Sequence, residues 1–308
     1  MVACSGGADS VALALGLRGI GAPVTLAHIV HDLRPAAETE MDRASVEALA
    51  ERLGIPFVCD SIRVQGGNKE SAARRGRYRA LSELARSAGI GFVATAHHAD
   101  DQFESIVMAL LRGSGVRGLA GVAPRRRLGE GVRLIRPMLG LRREDAERLC
   151  RESGVGWRED QTNLDTTRLR AALRHGPLKE LEALRPGAAT RAARSGAMLR
   201  DAAGLVQDRV CEVFGDGFEW ERAALRRERA IVVGAGLRRA ALKLTGGVGA
   251  DRLGAKRVDP AVRAVRDEGT EPREFHWPGG VVVRVHANAV QMSAGADKNG
   301  PPRSDGPL

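Results

Sequence analysis

Short apolar runs and longer helical patterns alternate in the first third of the chain, and this alternation constrains the fold more than any other feature. Strands that alternate with helices form a parallel sheet with right-handed crossovers and helices on both faces. The sequence therefore predicts an α/β fold. The apolar runs lie at 2–4, 24–30, 57–59 and 92–96, and the helical patterns lie at 11–17, 38–53, 70–88 and 102–111.

A different pattern begins after residue 137. Residues 141–211 read mostly as arginine-rich helices, and 275–292 contain a Pro-Gly-Gly turn followed by an alternating strand pattern. The final residues are rich in Gly, Pro and polar side chains, a composition typical of disorder. We therefore predict a catalytic domain at 1–185, a helical segment at 186–240, a small α+β domain at 241–293 and a disordered tail at 294–308.

Positive charge is concentrated in the middle of the chain. The 308 residues carry a formal net charge of +10, and 27 of the 48 basic residues but only 15 of the 38 acidic residues lie between 61 and 200. A concentrated positive field suits a polyanion, because binding releases counterions. Nearly all of these basic residues are arginine, which can also reflect genomic base composition. The charge by itself favours a nucleic acid as the partner.

Neither a membrane protein nor a cysteine-based framework is indicated. No stretch reaches the roughly 18 apolar residues that a spanning helix needs, and the first residues do not form a signal-peptide pattern. The four cysteines lie too far apart for a CxxC metal site or a dense disulfide framework. We expect a cytoplasmic protein that binds no membrane. The cysteines are Cys4, Cys59, Cys150 and Cys211.

The motif SGGADS at 5–10 lies between the first apolar run and an apolar helical pattern. Glycine lets a backbone approach an anion closely, and a helix that begins near Asp9 and Ser10 directs free N–H groups and its positive dipole end at that anion. The motif is neither the GK[ST] loop nor the GxGxxG fingerprint. It predicts a phosphate cradle, with a glycine turn and an ordinary N-cap as the alternative. Only four residues precede Ser5, so the strand before the cradle is expected to be very short.

A second polar cluster, HHADDQFE at 97–104, lies where a predicted strand leads into a helix. Asp101 and Glu104 are three residues apart and share one helical face. Carboxylates beside a triphosphate suit Mg²⁺. A zinc site through His97 and His98 is the competing interpretation, but adjacent histidines project differently and no third ligand has suitable spacing. A solvated helix start is the other alternative.

These motifs give the chain a resemblance to the PP-loop ATP pyrophosphatases, through SGGADS, and within them to the tRNA(Ile)-lysidine synthetases. Further segments occur in the order typical of that group, and the resemblance is strong over about 1–185. The segments are AHIVHDLRP at 27–35, ESAARRGRYRAL at 70–81, ATAHHADDQFES at 94–105, LLRGSGVRGLAGV at 110–122, LIRPML at 134–139 and EDQTNLDTTRLRAALR at 159–174.

The resemblance implies a ligase that uses ATP and Mg²⁺ to join free L-lysine to the wobble cytidine of a tRNA(Ile) with a CAU anticodon. It also implies roles for particular residues. The expected catalytic residues are Asp9, His98, Asp101 and Glu104, of which Asp9 and Asp101 would hold the metal. The expected nucleotide contacts are Ser5, Gly6, Gly7, Ala8, Asp9, Ser10, His31 and Arg112. The expected tRNA contacts are Arg125, Arg126, Arg127, Arg136, Arg170 and Arg174, the first three in a solvent-exposed loop.

Two other functions remain open at the level of sequence. Another PP-loop tRNA-modifying enzyme, such as a thiolase, would share SGGxDS, although the CxxC clusters of thiolases are missing here. A non-catalytic RNA-binding protein would keep the basic stretch but would not need the carboxylates Asp9, Asp100 and Asp101. Self-association is also open, because the helices of 141–211 could pair with a second copy to form a homodimer or could equally well pack against the small domain.

Overall fold

The computed structural model describes residues 1–65, 69–158, 169–249 and 252–294. It divides into two compact units, the first ending at Arg200 and the second beginning at Asp201. The predicted disordered tail lies outside the described residues, except for Ala294, which ends a strand. Within the described ranges, no helix is long and apolar enough to cross a membrane.

The first unit has the predicted order of strands and helices. Its strands are β1 (Val2–Ala3), β2 (Leu26–His31), β3 (Phe57–Ile62), β4 (Phe92–Ala94), β5 (Arg125–Gly129) and β6 (Val132–Ile135). Its helices are α1 (Ala8–Gly19), α2 (Ala36–Leu53), α3 (Lys69–Ser87), α4 (Ala99–Leu111), α5 (Val116–Leu119), α6 (Arg143–Glu152), α7 (Leu169–His175) and α8 (Pro177–Leu184), and α9 (Ala188–Phe214) continues into the second unit.

The six strands form one sheet in the order β3-β2-β1-β4-β6-β5. All neighbours are parallel except β5 and β6. The α/β prediction is therefore confirmed, and β5 is added as an antiparallel edge strand. This strand corrects one expectation: Arg125, Arg126 and Arg127 lie in β5, not in a loop, because they pair with Ile135, Leu134 and Arg133 of β6.

The first strand is central in the sheet although it has only two residues. Val2 pairs with Leu26 on one side and with Ala94 on the other. The preceding residue extends the pairing, because the ammonium of Met1 donates to the carbonyl of Phe92 at 3.0 Å and its carbonyl accepts from the N–H of Ala94 at 2.8 Å. The very short strand that the sequence predicts is thus paired with a neighbouring strand on each side.

Alternate residues of these strands point to two separate apolar clusters, as the period of a strand requires. Val2, Leu26 and Ala94 pack with α1, α2 and α6 on one face of the sheet. Ala27 and Val93 pack with α3 on the opposite face. Because both faces are covered, the polar segments that follow the strands are left at the carboxyl-terminal edge.

The second unit contains a four-stranded antiparallel sheet in the order β7-β10-β9-β8. The unit begins earlier than the predicted boundary at 241, because β7 pairs with β10 through Trp220 and Val290, and Val233 and Leu237 share its apolar core. Its elements are β7 (Glu219–Glu221), α10 (Arg222–Arg227), α11 (Ala230–Leu244), α12 (Ala255–Arg266), β8 (Arg273–Trp277), β9 (Val281–Val285) and β10 (Ala289–Ala294).

Candidate active site

Three polar segments follow the carboxyl ends of neighbouring strands in the first unit. Ser5–Ser10 follows β1, the segment 32–34 follows β2, which ends at His31, and Thr95–Asp101 follows β4. Ligands of parallel sheets bind at this edge. The sheet order therefore brings the two predicted polar motifs side by side.

The Ser5–Ser10 loop has the conformation that a phosphate cradle needs. Gly6 has a φ of +85°, which other residues adopt only with strain, and Gly7 is the N-cap of α1. The hydroxyl of Ser10, only 5% exposed, accepts from the N–H of Ser5 at 3.1 Å and donates to the carbonyl of Gly7 at 2.9 Å. Ser10 thus fixes the shape of the loop, and the backbone N–H groups at the start of α1 remain for an anion.

His98 joins this loop to the second motif. Its Nε2 lies 3.5 Å from Oδ2 of Asp9 and 3.6 Å from Oδ2 of Asp101, and its Nδ1 lies 3.4 Å from Oδ2 of Asp100. Burial alone would lower the pKa of His98, but the close polar contacts with Asp100 and Asp9 and the negative charges of Asp101 and Asp9 outweigh burial and raise the pKa to about 10. The imidazolium therefore binds together carboxylates that would otherwise repel one another.

Asp101 and Glu104 lie together on α4, as predicted, and share an ion cluster with two arginines of α7. Arg170 donates to Oε2 of Glu104 at 2.6 Å and to Oδ1 of Asp101 at 2.9 Å. Arg174 binds both oxygens of Glu104. Glu104 is only 2% exposed. These contacts hold the carboxylate of Glu104 in place and set Arg170 and Arg174 against carboxylates of the site, while the catalytic role of Glu104 stays a prediction.

Asp100 holds the segment that precedes α6. It accepts from the Nε of Arg142 at 3.1 Å and from the backbone N–H of Arg143 at 2.9 Å. Burial would raise its pKa, but these bonds and His98 lower it. Arg142 also donates to Glu182 of α8 at 2.7 Å. A cavity of about 340 Å³ opens here, lined in part by His98, Glu104 and Glu182.

A buried carboxylate on the other side of the loop was not predicted from the sequence. Asp42 of α2 is 5% exposed, contacts Arg34 and lies 2.7 Å from the Nε of Arg158. The backbone N–H of Arg158 donates to the carbonyl of Gly6 at 3.0 Å. The signal was present, because Asp42 has helical spacing with the apolar residues Val46, Leu49 and Ala50.

Three further predicted residues, His31, Arg112 and Arg136, lie at different places in the first unit. His31 ends β2 at the site edge, and its Nδ1 is buried with no hydrogen-bond partner. Arg112 is exposed at the far end of α4, roughly 20 Å from His98 at the usual rise per residue. Its role as a nucleotide contact stays a prediction. Arg136 follows β6 and is 5% exposed, with one N–H donating to the carbonyl of Ala123 at 2.5 Å.

The carboxylates fit the predicted magnesium ion only in part. Oδ1 of Asp9 is buried and has no hydrogen-bond partner, as expected of an oxygen that meets a ligand. The oxygens of Asp101 are engaged by Arg170 and by the N–H of His98. No group of three potential ligands occurs in the described ranges. Mg²⁺ needs only one or two protein carboxylates when phosphate oxygens complete its coordination shell. The free oxygen of Asp9 therefore suits a magnesium ion that is bound together with ATP.

A parallel sheet whose central strand passes through Ser-Gly-Gly into a helix defines an α/β domain of the phosphate-binding-loop class. Residues 1–181 match the PP-loop domain, and the chain belongs to this family. The resemblance read from the sequence motifs is confirmed by the relatives that the chain matches.

Two curated relatives carry the same name. A tRNA(Ile)-lysidine synthase from Geobacter sulfurreducens is 39% identical over 221 residues, covering 69% of this chain and 46% of that protein. A tRNA(Ile)-lysidine synthase from Thermus thermophilus is 42% identical over 171 residues, covering 54% of this chain and 32% of that protein. The chain therefore spans less than half the length of either relative.

A solved structure shares the fold. The U34-tRNA thiolase NcsA from Methanococcus maripaludis matches with a TM-score of 0.51 at 17% identity, covering 64% of this chain and 70% of that chain. Similarity at this level of identity supports the architecture alone.

Proposed function

We propose that this chain is an ATP-dependent ligase that joins L-lysine to C2 of the wobble cytidine in a tRNA(Ile) with a CAU anticodon. The observation that carries the proposal is the meeting of the Ser5–Ser10 loop with His98 and Asp101 at one edge of the sheet. This edge combines an anion cradle with carboxylates, which a purely RNA-binding domain does not need. The names of the curated relatives support the choice of substrates.

The proposed reaction has two steps. The C2 carbonyl oxygen of the cytidine attacks the α-phosphorus of ATP, so that an O–P bond forms and pyrophosphate leaves. The ε-amine of lysine then attacks C2, the C–O bond breaks, AMP leaves and the amine gives up a proton. The products are lysidine in the tRNA, AMP and pyrophosphate. We place the reaction in the cytoplasm.

The residues of the loop and of the second motif divide this work. The N–H groups at the start of α1 would hold phosphate oxygens, with Gly6 and Gly7 allowing close approach. A magnesium ion held by Asp9 would neutralise charge on the departing pyrophosphate. His98 keeps Asp9 and Asp101 together. Arg170 binds both Asp101 and Glu104, and Arg174 binds Glu104, so the two arginines fix the positions of these carboxylates.

The cavity beside His98 suits the lysine substrate. Its lining combines the carboxylates Asp100, Glu104 and Glu182 with basic side chains of Arg142, Arg143, Arg174 and Lys179, so it offers partners for both the ammonium groups and the carboxylate of an amino acid. Its volume of about 340 Å³ lies within the range of small-molecule sites. The cavity also shares His98 with the loop, so the amine and the activated base would meet at one place.

The decisive experiment is a reconstitution in which each substrate is omitted in turn. Purified protein is mixed with Mg²⁺, ATP, radiolabelled lysine and a CAU-anticodon tRNA(Ile), and a tRNA with another anticodon serves as the control. We expect label in the RNA, stable to the mild alkali that removes aminoacyl esters, only in the complete mixture. Sulfur incorporation, or AMP release that depends on neither lysine nor the anticodon, would contradict the proposal.

A further inference from the structure

Four arginines surround Tyr78, the single tyrosine of the chain, and we call these five residues the Tyr78 cluster. Tyr78 lies on α3, and the guanidinium carbons of Arg74 and Arg126 lie 5.7 and 4.7 Å from the centre of its ring. The positive charges of Arg136 and Arg77 also act on the phenol of Tyr78. One aromatic side chain therefore organises cations from α3, from β5 and from the end of β6.

The positive charge of this cluster has no acidic partner among the side chains that the structure describes. Apart from Glu70, whose side chain lies outside the described part of the chain, no carboxylate in the ranges 1–65, 69–158, 169–249 and 252–294 forms an ion pair with any of its four guanidiniums. The arginines nearer the loop differ, because Arg34, Arg142 and Arg170 each pair with an acidic side chain. Arg74, Arg77 and Arg126 are exposed. An exposed group of like charges without counter-ions is a binding surface for an anion.

The cluster adjoins the candidate active site. Arg136 follows Ile135, whose carbonyl accepts from the N–H of Thr95 at 3.0 Å. The hydroxyl of Thr95 lies 3.0 Å from Nδ1 of His97, the first residue of the second motif. Burial is the main cause that lowers the pKa of His97 to about 4; the charge of Asp101 opposes this shift, and the charges of Arg136 and Arg74 add to it. The positive field of the cluster thus reaches the segment where the chemistry would occur.

We propose that the Tyr78 cluster binds a backbone phosphate of the RNA substrate, next to the nucleotide whose base enters the active site. This inference rests on the proposed function, since it needs a polynucleotide substrate. A nucleotide in a chain has phosphates on both sides, so a cradle beside the chemistry is required as well as one for ATP. Guanidinium forks bind phosphate oxygens in pairs, and stacking on Tyr78 holds the fork of Arg126 in place before binding.

The position in the sheet separates this surface from the ATP phosphates. The Ser5–Ser10 loop follows β1, whereas Arg136 follows β6, and β4 lies between these two strands. Two strand spacings correspond to roughly 10 Å. A triphosphate in the loop therefore leaves the Tyr78 cluster free for a second phosphate group.

The test measures how tRNA affinity depends on salt in single variants. Arg74→Gln and Arg126→Gln remove exposed charges of the cluster, and Arg86→Gln removes an exposed charge from the opposite end of the same helix as the matched control. Each lost phosphate contact lowers the slope of log Kd against log salt by about 0.7 to 0.9. We expect this decrease for both cluster variants, and an unchanged slope for Arg86→Gln.

Tyr78 is tested by a second pair of substitutions. Tyr78→Phe keeps the ring under Arg126 and is expected to keep most of the affinity for tRNA. Tyr78→Leu removes the ring and is expected to lower the affinity as Arg126→Gln does. Melting temperatures show whether each variant is folded. If Tyr78→Leu does not fold, the test depends on the arginine variants.

Three results would overturn the inference. The first is an unchanged salt slope for tRNA binding in both arginine variants, and the second is an equal decrease of that slope in Arg86→Gln. The third is weaker ATP binding with an unchanged slope for tRNA, which would assign the cluster to the nucleotide. Lysine incorporation by the unaltered protein decides the proposed function separately. If lysine is incorporated while the variants keep the salt slope of the unaltered protein, the proposed function stands and the Tyr78 cluster is excluded as a phosphate site.

Discussion

Nε2 of His98 lies 3.5 Å from Oδ2 of Asp9, and this contact joins the loop after β1 to the segment after β4. The other oxygen of Asp9 is buried without a hydrogen-bond partner. One oxygen of the carboxylate is therefore fixed by the protein, and the other is available to a ligand. The arrangement makes Asp9 the residue on which the proposed chemistry depends most directly.

Asp9→Asn is expected to lower pyrophosphate release by roughly 100-fold or more, the usual loss when one electrostatic contact of a transition state is removed. Asparagine keeps the shape of the side chain, so the melting temperature should change little. Asp208→Asn, on the exposed surface of α9, is the control and should release pyrophosphate at the normal rate. A folded Asp9→Asn protein with normal turnover would show that Asp9 holds neither metal nor phosphate.

The two glycines of the loop are expected to respond differently to alanine. Gly6→Ala places a side chain at a φ of +85° and should lower the free energy of unfolding by about 1–2 kcal/mol. Gly7 has a φ of −77°, and a Cβ there would meet only ordinary contacts, the nearest at 3.6 Å. Gly7→Ala should therefore keep the stability and weaken ATP binding, because the new methyl group faces the anion. Urea unfolding and nucleotide titration separate the two effects, and a Gly7→Ala protein with unchanged ATP affinity would argue against the cradle.

The sequence was sufficient for the α/β fold and for the two motifs of the site, because both depend on local patterns. Strand and helix periods identify β1–β4 and α1–α4, and the rule that ligands bind at the carboxyl edge brings Asp9 and Asp101 together. The antiparallel β5 was missed because a run of three arginines does not resemble a strand. It forms because the backbone of Arg126 pairs with Leu134, a contact that no local pattern encodes.

The electrostatic partners within the site could not be read from the sequence. Arg170 and Arg174 were predicted as tRNA contacts from their type and spacing, yet their guanidiniums lie against Asp101 and Glu104. Long-range pairs depend on how helices dock, and an arginine in isolation suits RNA and carboxylate equally well. For the same reason the partners of Asp42 became visible only in the folded chain.

Glu104→Gln is expected to lower the free energy of unfolding by about 2 kcal/mol. It leaves two guanidiniums without a full counter-charge, and the usual cost of breaking a buried pair is reduced here because Arg170 and Arg174 are 35% and 27% exposed. The control is Glu152→Gln, whose ion pair with Arg148 is exposed on both sides and contributes less than about 1 kcal/mol. Urea denaturation at a constant m-value measures the change in the free energy of unfolding for both variants. Equal losses of stability would contradict the stabilising role of the buried cluster.

Asp42→Asn is expected to raise the KM for ATP by about tenfold, the size of one hydrogen bond to a charged group. Asp42 contacts Arg34 and Arg158, and the backbone of Arg158 is bonded to Gly6 of the loop. Without the carboxylate these side chains are no longer held beside the nucleotide, while the residues that act on the phosphorus are untouched. The kcat for pyrophosphate release should therefore change much less than the KM. Glu38→Gln, on the exposed face of the same helix, is the control and should change neither quantity. Lower stability with an unchanged KM would restrict Asp42 to a structural role.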